Sequence, residues 1–371
     1  MKLLHTGDLH LDSPFSSMSV AEAQKKREGQ RKLLKRIFDC AREESCDLIL
    51  IAGDLFDSRY VTKETEELLL RLLEETPCQV LLATGNHDPY VEGSLYQKIE
   101  KMNNVHVFGE PRLSWVDFPQ WRARVYGYGF GGAFVQESPL NGAEPQQGEE
   151  ELRILCAHGD LGAPLSRYAP ISVNDIVKFD IHYAALGHVH CPGNTVEVGN
   201  TLIQYCGFPQ GRSFDEPDEG GVWIVSLTKG ARPICERRIL SEEQYWTLEL
   251  DVSALQDEEA IVSRIQGEVQ KAMAKKGMHL RIHLTGTTVT KIQTEELLRD
   301  APSVQIKDLT VPAADTETLK KDVSLRGALY RVLYPSLISD RPEQRARAMR
   351  ALRIGLAAID DRNIPTEEDL L

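Results

Sequence analysis

Residues 47–57 read DLILIAGDLFD, an apolar run that ends abruptly in a glycine and an aspartate. A continuous apolar run without alternation suits a strand that is covered on both faces of a parallel sheet. The glycine allows a tight turn after the strand, and ligands of open α/β proteins gather outside the carboxyl ends of such strands. Asp54 therefore stands where a functional side chain is expected.

The same pattern, an apolar run followed at once by metal-binding side chain types, occurs five times. The runs at residues 2–6, 47–52, 79–84, 153–157 and 183–186 lead respectively into Asp8 with His10, Asp54, Asn86 with His87, His158, and His188 with His190. A lone His or Asp at a strand end is usually a hydrogen-bonded structural residue. Five such clusters at one edge of an α/β fold instead indicate a shared polar site.

The residue types of these clusters indicate a pair of divalent metal ions. Carboxylate and amide oxygens mixed with imidazole nitrogens suit Mn, Fe or Zn better than Ca or Mg, which favour oxygen alone. Two metals about 3.5 to 4 Å apart need one carboxylate that can bridge them, and Asp54 is the natural bridge. Such a pair acidifies water for attack on phosphorus. We expect His87 to protonate the leaving oxygen or to hydrogen-bond the phosphoryl oxygens, with Asp88 orienting its ring.

The motifs D-x-H, G-D-x-x-D, G-N-H-D, H-G-D and G-H-x-H, in this order, resemble those of the calcineurin-like metallophosphoesterase superfamily. The resemblance implies two metal subsites that share one carboxylate. One subsite would comprise Asp8, His10, Asp54 and His190, and the other would comprise Asp54, Asn86, His158 and His188. It also implies that His87 is the catalytic histidine. The expected fold is α/β, a four-layer αββα sandwich of two packed sheets flanked by helices.

Within that superfamily the GDLFD form of the second motif and the material after His190 resemble the bacterial DNA repair exonuclease branch, the SbcD/YhaO-like proteins. The similarity covers residues 1–230 well and the remainder in outline. Two positions depart from the wider pattern. Asp57 stands where archaeal and eukaryotic nuclease relatives have a histidine, and the stretch 205–214, YCGFPQGRSF, has the Arg and Phe but lacks the usual Gly-Ser step.

Composition limits the cellular setting and the partners. The seven cysteines are scattered singly with no C-x-x-C pair, which suits a reducing cytoplasm. No charged and apolar leader opens the sequence, and no apolar run is long enough for a membrane span, so we expect a soluble cytoplasmic protein.

The net charge of -13 argues against an autonomous nucleic-acid binder. A basic stretch at residues 25–36 reads as a helix that either is a solvated face or tracks a substrate backbone.

Other segments of the first 240 residues are expected to complete the catalytic domain. Residues 131–151 are rich in Gly, Pro, Gln and Glu and read as an inserted loop. Trp115 and Trp121, with the strand at residues 122–126, are expected in a covering hairpin, where core packing is favoured over base stacking. The stretch 220–225 is predicted to be a late strand that closes the second sheet.

Three segments are expected along the chain. Residues 1–240 form the catalytic domain, 245–314 a small α+β capping domain built on a β-α-β unit, and 315–371 a helical C-terminal tail with helices at 319–334 and 342–359. By the resemblance, the tail binds the coiled coil of an SbcC/Rad50-like ABC-type ATPase, which would also supply grip on DNA. Packing of the tail on its own domain is the alternative. Related nucleases pair through helices near the first motifs, so a homodimer stays among the expectations.

Three functions are compatible with these features. The favoured one is a Mn-dependent DNA nuclease, an exonuclease with endonuclease action left open, working in DNA repair with the ATPase. The second is a metallophosphoesterase acting on small molecules, nucleotides or phosphoproteins. The third is an inactive scaffold, which the complete set of seven ligands and His87 argues against. The cap-like module and the tail favour the first function over the second.

Overall fold

The computed structural model describes residues 1–146, 148–191, 193, 195–217, 219–255, 257–288, 292–312 and 316–360. The chain divides into two compact units, Met1–Glu242 and Glu243–Leu371. The division into three functional segments at residues 240 and 314 stays a prediction.

Unit 1 is built from two six-stranded sheets and the helices that cover them. Its strands are β1 (Lys2–Thr6), β2 (Leu48–Ala52), β3 (Gln79–Ala83), β4 (Val105–Phe108), β5 (Ser114–Phe118), β6 (Ala123–Gly127), β7 (Leu152–His158), β8 (Tyr183–Gly187), β9 (Thr195–Val198), β10 (Thr201–Tyr205), β11 (Gly221–Ser226) and β12 (Ile234–Ile239). Its helices are α1 (Val20–Glu43), α2 (Lys63–Glu75), α3 (Tyr96–Ile99) and α4 (Val173–Lys178), with a 3-10 turn at Pro119–Trp121.

The first sheet has the strand order β12-β11-β1-β2-β3-β4, in which β1 to β4 run parallel. The prediction that the late strand closes the second sheet is wrong, because β11 pairs antiparallel with β1 in the first sheet, with Leu3 opposite Val225. An apolar run indicates that a strand is buried, but it does not say which open edge the strand joins. The edge of β1 opposite β2 accepts it.

The second sheet has the order β5-β6-β7-β8-β10-β9, with β6, β7, β8 and β10 parallel. The predicted hairpin around Trp115 is present as the antiparallel pair of β5 and β6, and it forms the edge of this sheet. The predicted loop at 131–151 is also present. Among its described residues before β7, the structure has no helix or strand, only an isolated bridge from Val135 to Tyr168.

The two sheets pack face to face, and helices cover their outer faces. Leu48 and Leu81 of the first sheet share one buried cluster with Ile154 and Tyr183 of the second. Helices α1 and α2 pack on the outer face of the first sheet, and α4 packs on that of the second through Ile176. The predicted four-layer αββα architecture is therefore confirmed.

Helix α1 shows how the sequence sets a local element. Ser19 accepts a hydrogen bond from the Glu22 backbone, and the Glu22 side chain accepts one from the Ser19 backbone, a reciprocal cap that fixes the start. Leu33, Leu34 and Ile37 are buried on one face, and each such side chain contributes roughly 1.5–3 kcal/mol. The predicted basic helix is thus present, and Lys25, Lys32 and Lys35 of this helix are exposed.

Unit 2 contains the predicted β-α-β arrangement and a group of helices. Its elements are β13 (Gln244–Asp251), α5 (Glu258–Met273), β14 (Met278–Thr285), β15 (Thr287–Thr288), α6 (Glu295–Leu298), β16 (Val304–Asp308), β17 (Val311–Pro312), α7 (Thr316–Lys321), α8 (Leu325–Leu337) and α9 (Pro342–Ile359). Strands β13, β14 and β16 form one parallel sheet, and α5 packs on it through Ile261 and Ile265.

The helical tail differs from the prediction at one point. The expected helix at 319–334 is two helices, because Ser324 caps the start of α8 and the Asp322 carboxylate accepts from the Ser324 backbone. These local bonds compete with a continuous helix. Helix α9 has the predicted bounds and packs on α8, with Leu352 and Leu356 fully buried. No helix in the described part of the chain is long and apolar enough to cross a membrane.

Candidate metal centre

The five polar clusters follow strands that are neighbours within their sheets. Strands β1, β2 and β3 lie side by side in the first sheet, and β7 and β8 lie side by side in the second. All five are parallel within their sheets, so their carboxyl ends emerge at one edge of each sheet. Because the sheets stack face to face, side chains from both reach one place.

One group of converging side chains centres on two imidazoles. The Nε2 atoms of His10 and His190 lie 3.2 Å apart. His190 Nε2 lies 3.6 Å from Asp8 Oδ1, and His10 Nε2 lies 3.6 Å from Asp54 Oδ2. Asp8, His10 and Asp54 are buried, whereas His190 is half-buried. Four of the predicted ligands therefore meet here.

A second group shares Asp54 with the first. His158 Nε2 lies 3.5 Å from Asp54 Oδ2 and 3.1 Å from Asn86 Oδ1. The other nitrogen of that ring, Nδ1, lies 2.9 Å from the Ala52 carbonyl oxygen, which fixes its proton there and leaves Nε2 as a lone-pair donor. Asp54 thus lies between the two groups, the position expected for a bridging carboxylate.

His188 lies beside the second group rather than within it. Its ring centroid is 5.0 Å from that of His158, and its backbone nitrogen donates to the Asp8 carboxylate at 3.0 Å. Its Nε2 atom lies 3.4 Å from Asp160 Oδ1. Tight three-residue groups of His and Asp side chains form among the described residues, and the His188 ring belongs to none of them. The groups are Asp8 with His10 and His190, Asp8 with Asp54 and His158, and His10 with Asp54 and His87.

The backbone at this site is strained. Asp8, His10 and Asp54 have φ values of 49°, 45° and 47°, in the left-handed region that residues other than glycine rarely adopt. Each such residue costs on the order of 1–3 kcal/mol and persists only where its surroundings hold it. Backbone bonds from Asp8 to the Gly53 carbonyl and from His10 to the Asp54 carbonyl, both 3.0 Å, hold these turns. The strain aims the side chains inward.

The donor set fits divalent cations. His190 Nδ1 faces a Glu216 oxygen at 2.8 Å, and His10 Nδ1 faces Asp57 Oδ1 at 3.2 Å, so both Nε2 atoms can present lone pairs to the same point. In that tautomer the Nε2 lone pair of each ring is available to a cation. Burial lowers the pKa of His190, but Asp8 and Glu216 outweigh burial and raise that pKa to about 10. The same negative field attracts a metal ion.

Comparison with known proteins identifies the family. The calcineurin-like phosphoesterase family matches residues 1–192. The chain belongs to this family. It is a metal-dependent hydrolase of phosphoester bonds, and members of the family bind two divalent metals.

Relatives extend the similarity beyond the matched domain. The metallophosphoesterase is 25% identical over 360 residues to the uncharacterized metallophosphoesterase YhaO of Bacillus subtilis, covering 93% of this chain and 83% of the relative. It is 25% identical over 323 residues to the SbcD component of the nuclease SbcCD of Staphylococcus epidermidis, covering 79% and 80%. It is 24% identical over 303 residues to the DNA double-strand break repair protein Mre11 of Methanopyrus kandleri, covering 74% and 65%.

Two outer carboxylates, joined by one arginine, support the imidazoles of the metallophosphoesterase site. Glu216, which is buried, accepts from His190 and from the Arg212 guanidinium and backbone nitrogen. Arg212 also reaches Asp57 at 3.5 Å, and Asp57 faces His10. Burial raises the pKa of Glu216, but His190 and Arg212 outweigh burial and lower the pKa to about 2. Sequence reasoning missed Glu216. Its only signal is an acid four residues after the arginine.

The contacts of Asp88 differ from its predicted role, which was to orient the ring of His87. Its Oδ1 accepts from the Gly85 nitrogen at 2.8 Å, and its Oδ2 accepts from the Phe56 nitrogen at 2.9 Å and from the Tyr96 hydroxyl at 2.5 Å. Both oxygens are therefore committed to the loop and not to the ring of His87. Burial raises the pKa of Asp88, as does the Asp54 carboxylate. The Asp88 carboxylate thus joins the loop after β2 to the turn that carries Asn86.

His87 is exposed at the mouth of the site. Its backbone nitrogen donates to Asp54 Oδ1 at 3.0 Å, and its Nδ1 lies 3.3 Å from the Asp57 carbonyl oxygen. Its ring packs edge-on against the ring of His10, with centroids 4.7 Å apart. The ring is thus held by its backbone and by Asp57, and it stands next to the ligands without being buried among them.

Cys206 occupies the stretch in which the expected serine is absent. Its thiol donates to Asp8 Oδ2 at 3.2 Å, and its side chain is buried. Burial raises the pKa of Cys206 and Asp8 raises it further, so the thiol keeps its proton and remains a donor. The Asp8 carboxylate is consequently held by a thiol on one side and by the His188 backbone on the other.

Proposed function

We propose that this metallophosphoesterase is a Mn-dependent DNA nuclease, acting as an exonuclease with endonuclease cleavage as a further mode. The observation that carries the proposal is the position of Asp54 Oδ2, which lies within 3.6 Å of His10 Nε2 and 3.5 Å of His158 Nε2. A single carboxylate shared by two clusters is the arrangement that a two-metal phosphodiesterase requires. The nuclease relatives named above support DNA as the substrate.

The side chains divide into ligands and a proton donor. We assign one metal to Asp8, His10, Asp54 and His190, and the other to Asp54, Asn86, His158 and His188, with Mn²⁺ preferred and Fe or Zn as substitutes. When bound, such a pair supplies Lewis acidity and an acidified water. His87, exposed at the mouth, donates a proton to the leaving oxygen or a hydrogen bond to the phosphoryl group. Asp57 and Glu216 keep the His10 and His190 rings in their ligating tautomers.

A second candidate is a phosphoesterase that acts on small molecules, nucleotides or phosphoproteins. The observation in its favour is the net charge of -13, which opposes close approach of a polyanion. The exposed basic face of α1 argues against this second candidate, because it could contact the backbone of a nucleic acid. Of its cations, Arg31 pairs with Asp12 and Arg36 with Glu242, whereas Lys25, Lys32 and Lys35 are exposed.

A partner would supply the DNA grip that an acidic chain lacks. We propose an SbcC/Rad50-like ABC-type ATPase in the cytoplasm, bound through the C-terminal helices. Helix α8 presents exposed apolar side chains, with Leu325 at 68% and Val332 at 78% exposure, seven residues apart and so on one face. Such a face suits docking against another helix. A homodimer stays a prediction.

Purified protein loaded with Mn²⁺ tests the activity. End-labelled single- and double-stranded DNA is incubated beside bis(p-nitrophenyl) phosphate and a phosphomonoester. We expect product ladders on DNA, and their absence alongside turnover of the aryl diester would favour the second candidate. Asp54→Asn should abolish all turnover and metal retention. Asp340→Asn, which changes an exposed aspartate in unit 2, is the matched control and should leave both unchanged.

Pull-down with the ATPase tests the partner. Leu325→Asp with Val332→Asp should release it while hydrolysis of the aryl diester continues. Ile234→Asp, which changes an aliphatic residue of unit 1 that is 62% exposed, is the control. Equal binding by both variants would contradict the assignment of α8.

A further inference from the structure

A line of rings runs from the metal centre toward solvent. The His158 ring centroid lies 5.0 Å from that of His188, the His188 centroid lies 4.9 Å from that of Tyr168, and the Tyr168 centroid lies 5.8 Å from that of Phe134. Exposure rises along this line, from the buried His158 to Phe134, which is 50% exposed. The line therefore leads from the ligands, through Tyr168, to an accessible aromatic ring.

The outer end of the line combines this aromatic surface with positive charge. The guanidinium carbon of Arg167 lies 4.6 Å from the centroid of the Phe134 ring, a cation–π contact, and Arg167 is itself exposed. Leu165, two residues earlier, is 96% exposed. An exposed aromatic, an exposed aliphatic and a guanidinium on one rim offer contacts for a flat apolar group that carries a phosphate.

Backbone hydrogen bonds hold the two loops that carry these residues. The Val135 nitrogen donates to the Arg167 carbonyl at 2.9 Å, and the Ala169 nitrogen donates to the Val135 carbonyl at 2.8 Å. Val135 and Ala169 are buried, and Tyr168 packs against the same cluster. The loops are thus anchored by the residues on either side of Phe134 and Arg167. Phe134 adds little to that core, because half of it faces solvent.

We propose that Phe134, Tyr168 and Arg167 form a platform that binds an unstacked nucleobase next to the scissile phosphate. This inference rests on the proposed nuclease function and narrows its substrate to single-stranded DNA or frayed ends, whose bases are free to stack on a side chain. Base stacking on an aromatic ring tolerates any sequence, as an exonuclease requires. Arg167 contacts the backbone phosphate, and Tyr168 positions the platform against His188.

The test separates stacking from phosphate binding. Fluorescence anisotropy measures binding to the Mn-loaded protein of two labelled probes, oligothymidylate and an abasic oligonucleotide of equal length. The measurement is made at low temperature, and a gel verifies that each probe stays intact. Variants are Phe134→Ala, Arg167→Ala and Trp115→Ala. Trp115 is the matched control, because it is also a half-exposed aromatic, 42%, with an arginine, Arg124, 5.5 Å from its ring.

We expect wild type to bind oligothymidylate more tightly than the abasic probe. Phe134→Ala should lose roughly tenfold in affinity for oligothymidylate and little for the abasic probe, whereas Trp115→Ala should match wild type. Arg167→Ala should weaken both probes and lower the salt dependence of binding. Equal affinity of wild type for both probes, or equal losses in Phe134→Ala and Trp115→Ala, would overturn the platform. Failure of the nuclease function would appear separately, as intact DNA in an enzyme that still hydrolyses the aryl diester.

Discussion

Gly85 packs directly against Asp54, so that a β-carbon on residue 85 would overlap the Asp54 carboxylate and its backbone nitrogen. Gly85→Ala must therefore displace the carboxylate shared by the two ligand groups. We expect metal affinity to fall about 10- to 100-fold, with a matching loss of turnover, measured by elemental analysis after dialysis. Gly132→Ala is the control, since no atom lies within 4 Å of its added carbon. Equal metal content in both variants would contradict the shared position of Asp54.

His87→Ala separates proton transfer from metal binding. His87 is exposed and touches the ligands through its backbone bond to Asp54 and its edge contact with His10. Because the alanine variant keeps the backbone bond, both metals should remain, while kcat falls by about 10²- to 10⁴-fold. Metal content and kcat on bis(p-nitrophenyl) phosphate are the readouts. Loss of metal from this variant would make His87 a structural residue.

The sequence was sufficient for the four layers and for the grouping of the ligand types. Apolar runs that end in polar clusters encode parallel strands with a site at their carboxyl ends, and both properties are local. The pairing of β11 with β1 is not local, because Leu3 and Val225 are far apart in the sequence and become neighbours only in the folded sheet. Burial alone does not choose between two open sheet edges.

The contacts around the ligands were harder to predict for the same reason. Glu216 lies in an irregular stretch after β10, without strand or helix periodicity, and only folding brings it 2.8 Å from His190. Asp88 is adjacent to His87 in sequence, which suggested a contact between them. Tight turns direct neighbouring side chains to different sides, and the Asp88 carboxylate instead binds three groups of the surrounding loops.

Glu216→Gln should weaken one metal more than the other. Glutamine keeps the shape but loses the charge that holds Arg212 and favours the ligating tautomer of His190. We expect about 10- to 100-fold weaker binding of the metal held by His190, with the second metal retained. Titration calorimetry with Mn²⁺ would show one weakened site. Asp215→Asn, an exposed neighbour that loses the same charge, should keep both affinities.

Gly267→Ala should stabilise unit 2. Gly267 lies inside helix α5, and no atom lies within 4 Å of an added β-carbon. Alanine restricts the unfolded chain and favours the helix by roughly 0.5–1 kcal/mol over glycine. Urea unfolding followed by circular dichroism would report the gain. Activity should not change, because α5 contributes none of the proposed ligands.

His5 should make the fold sensitive to acid. Burial lowers the pKa of His5 to about 3, against opposing effects of the Leu186 carbonyl and Asp8, and His5 Nδ1 lies 2.8 Å from the Tyr183 hydroxyl. The unfolded chain binds a proton near the ordinary histidine value of about 6.5, whereas the folded chain resists it. The contribution of neutral His5 to stability is therefore complete above about pH 6.5 and is lost as pH falls toward about 3, with a slope of about 1.4 kcal/mol per pH unit.

His5→Gln isolates this effect, because glutamine retains a hydrogen-bonding group for Tyr183 but does not titrate. Urea unfolding at about pH 7 and about pH 5, with chelator present to remove metal-linked protons, gives the free energy of unfolding for both proteins. Wild type should lose about 1–2 kcal/mol more than the variant between these values. Equal losses of unfolding free energy in the two proteins would contradict the role of His5. The acid sensitivity of the fold would then be caused by its carboxylates.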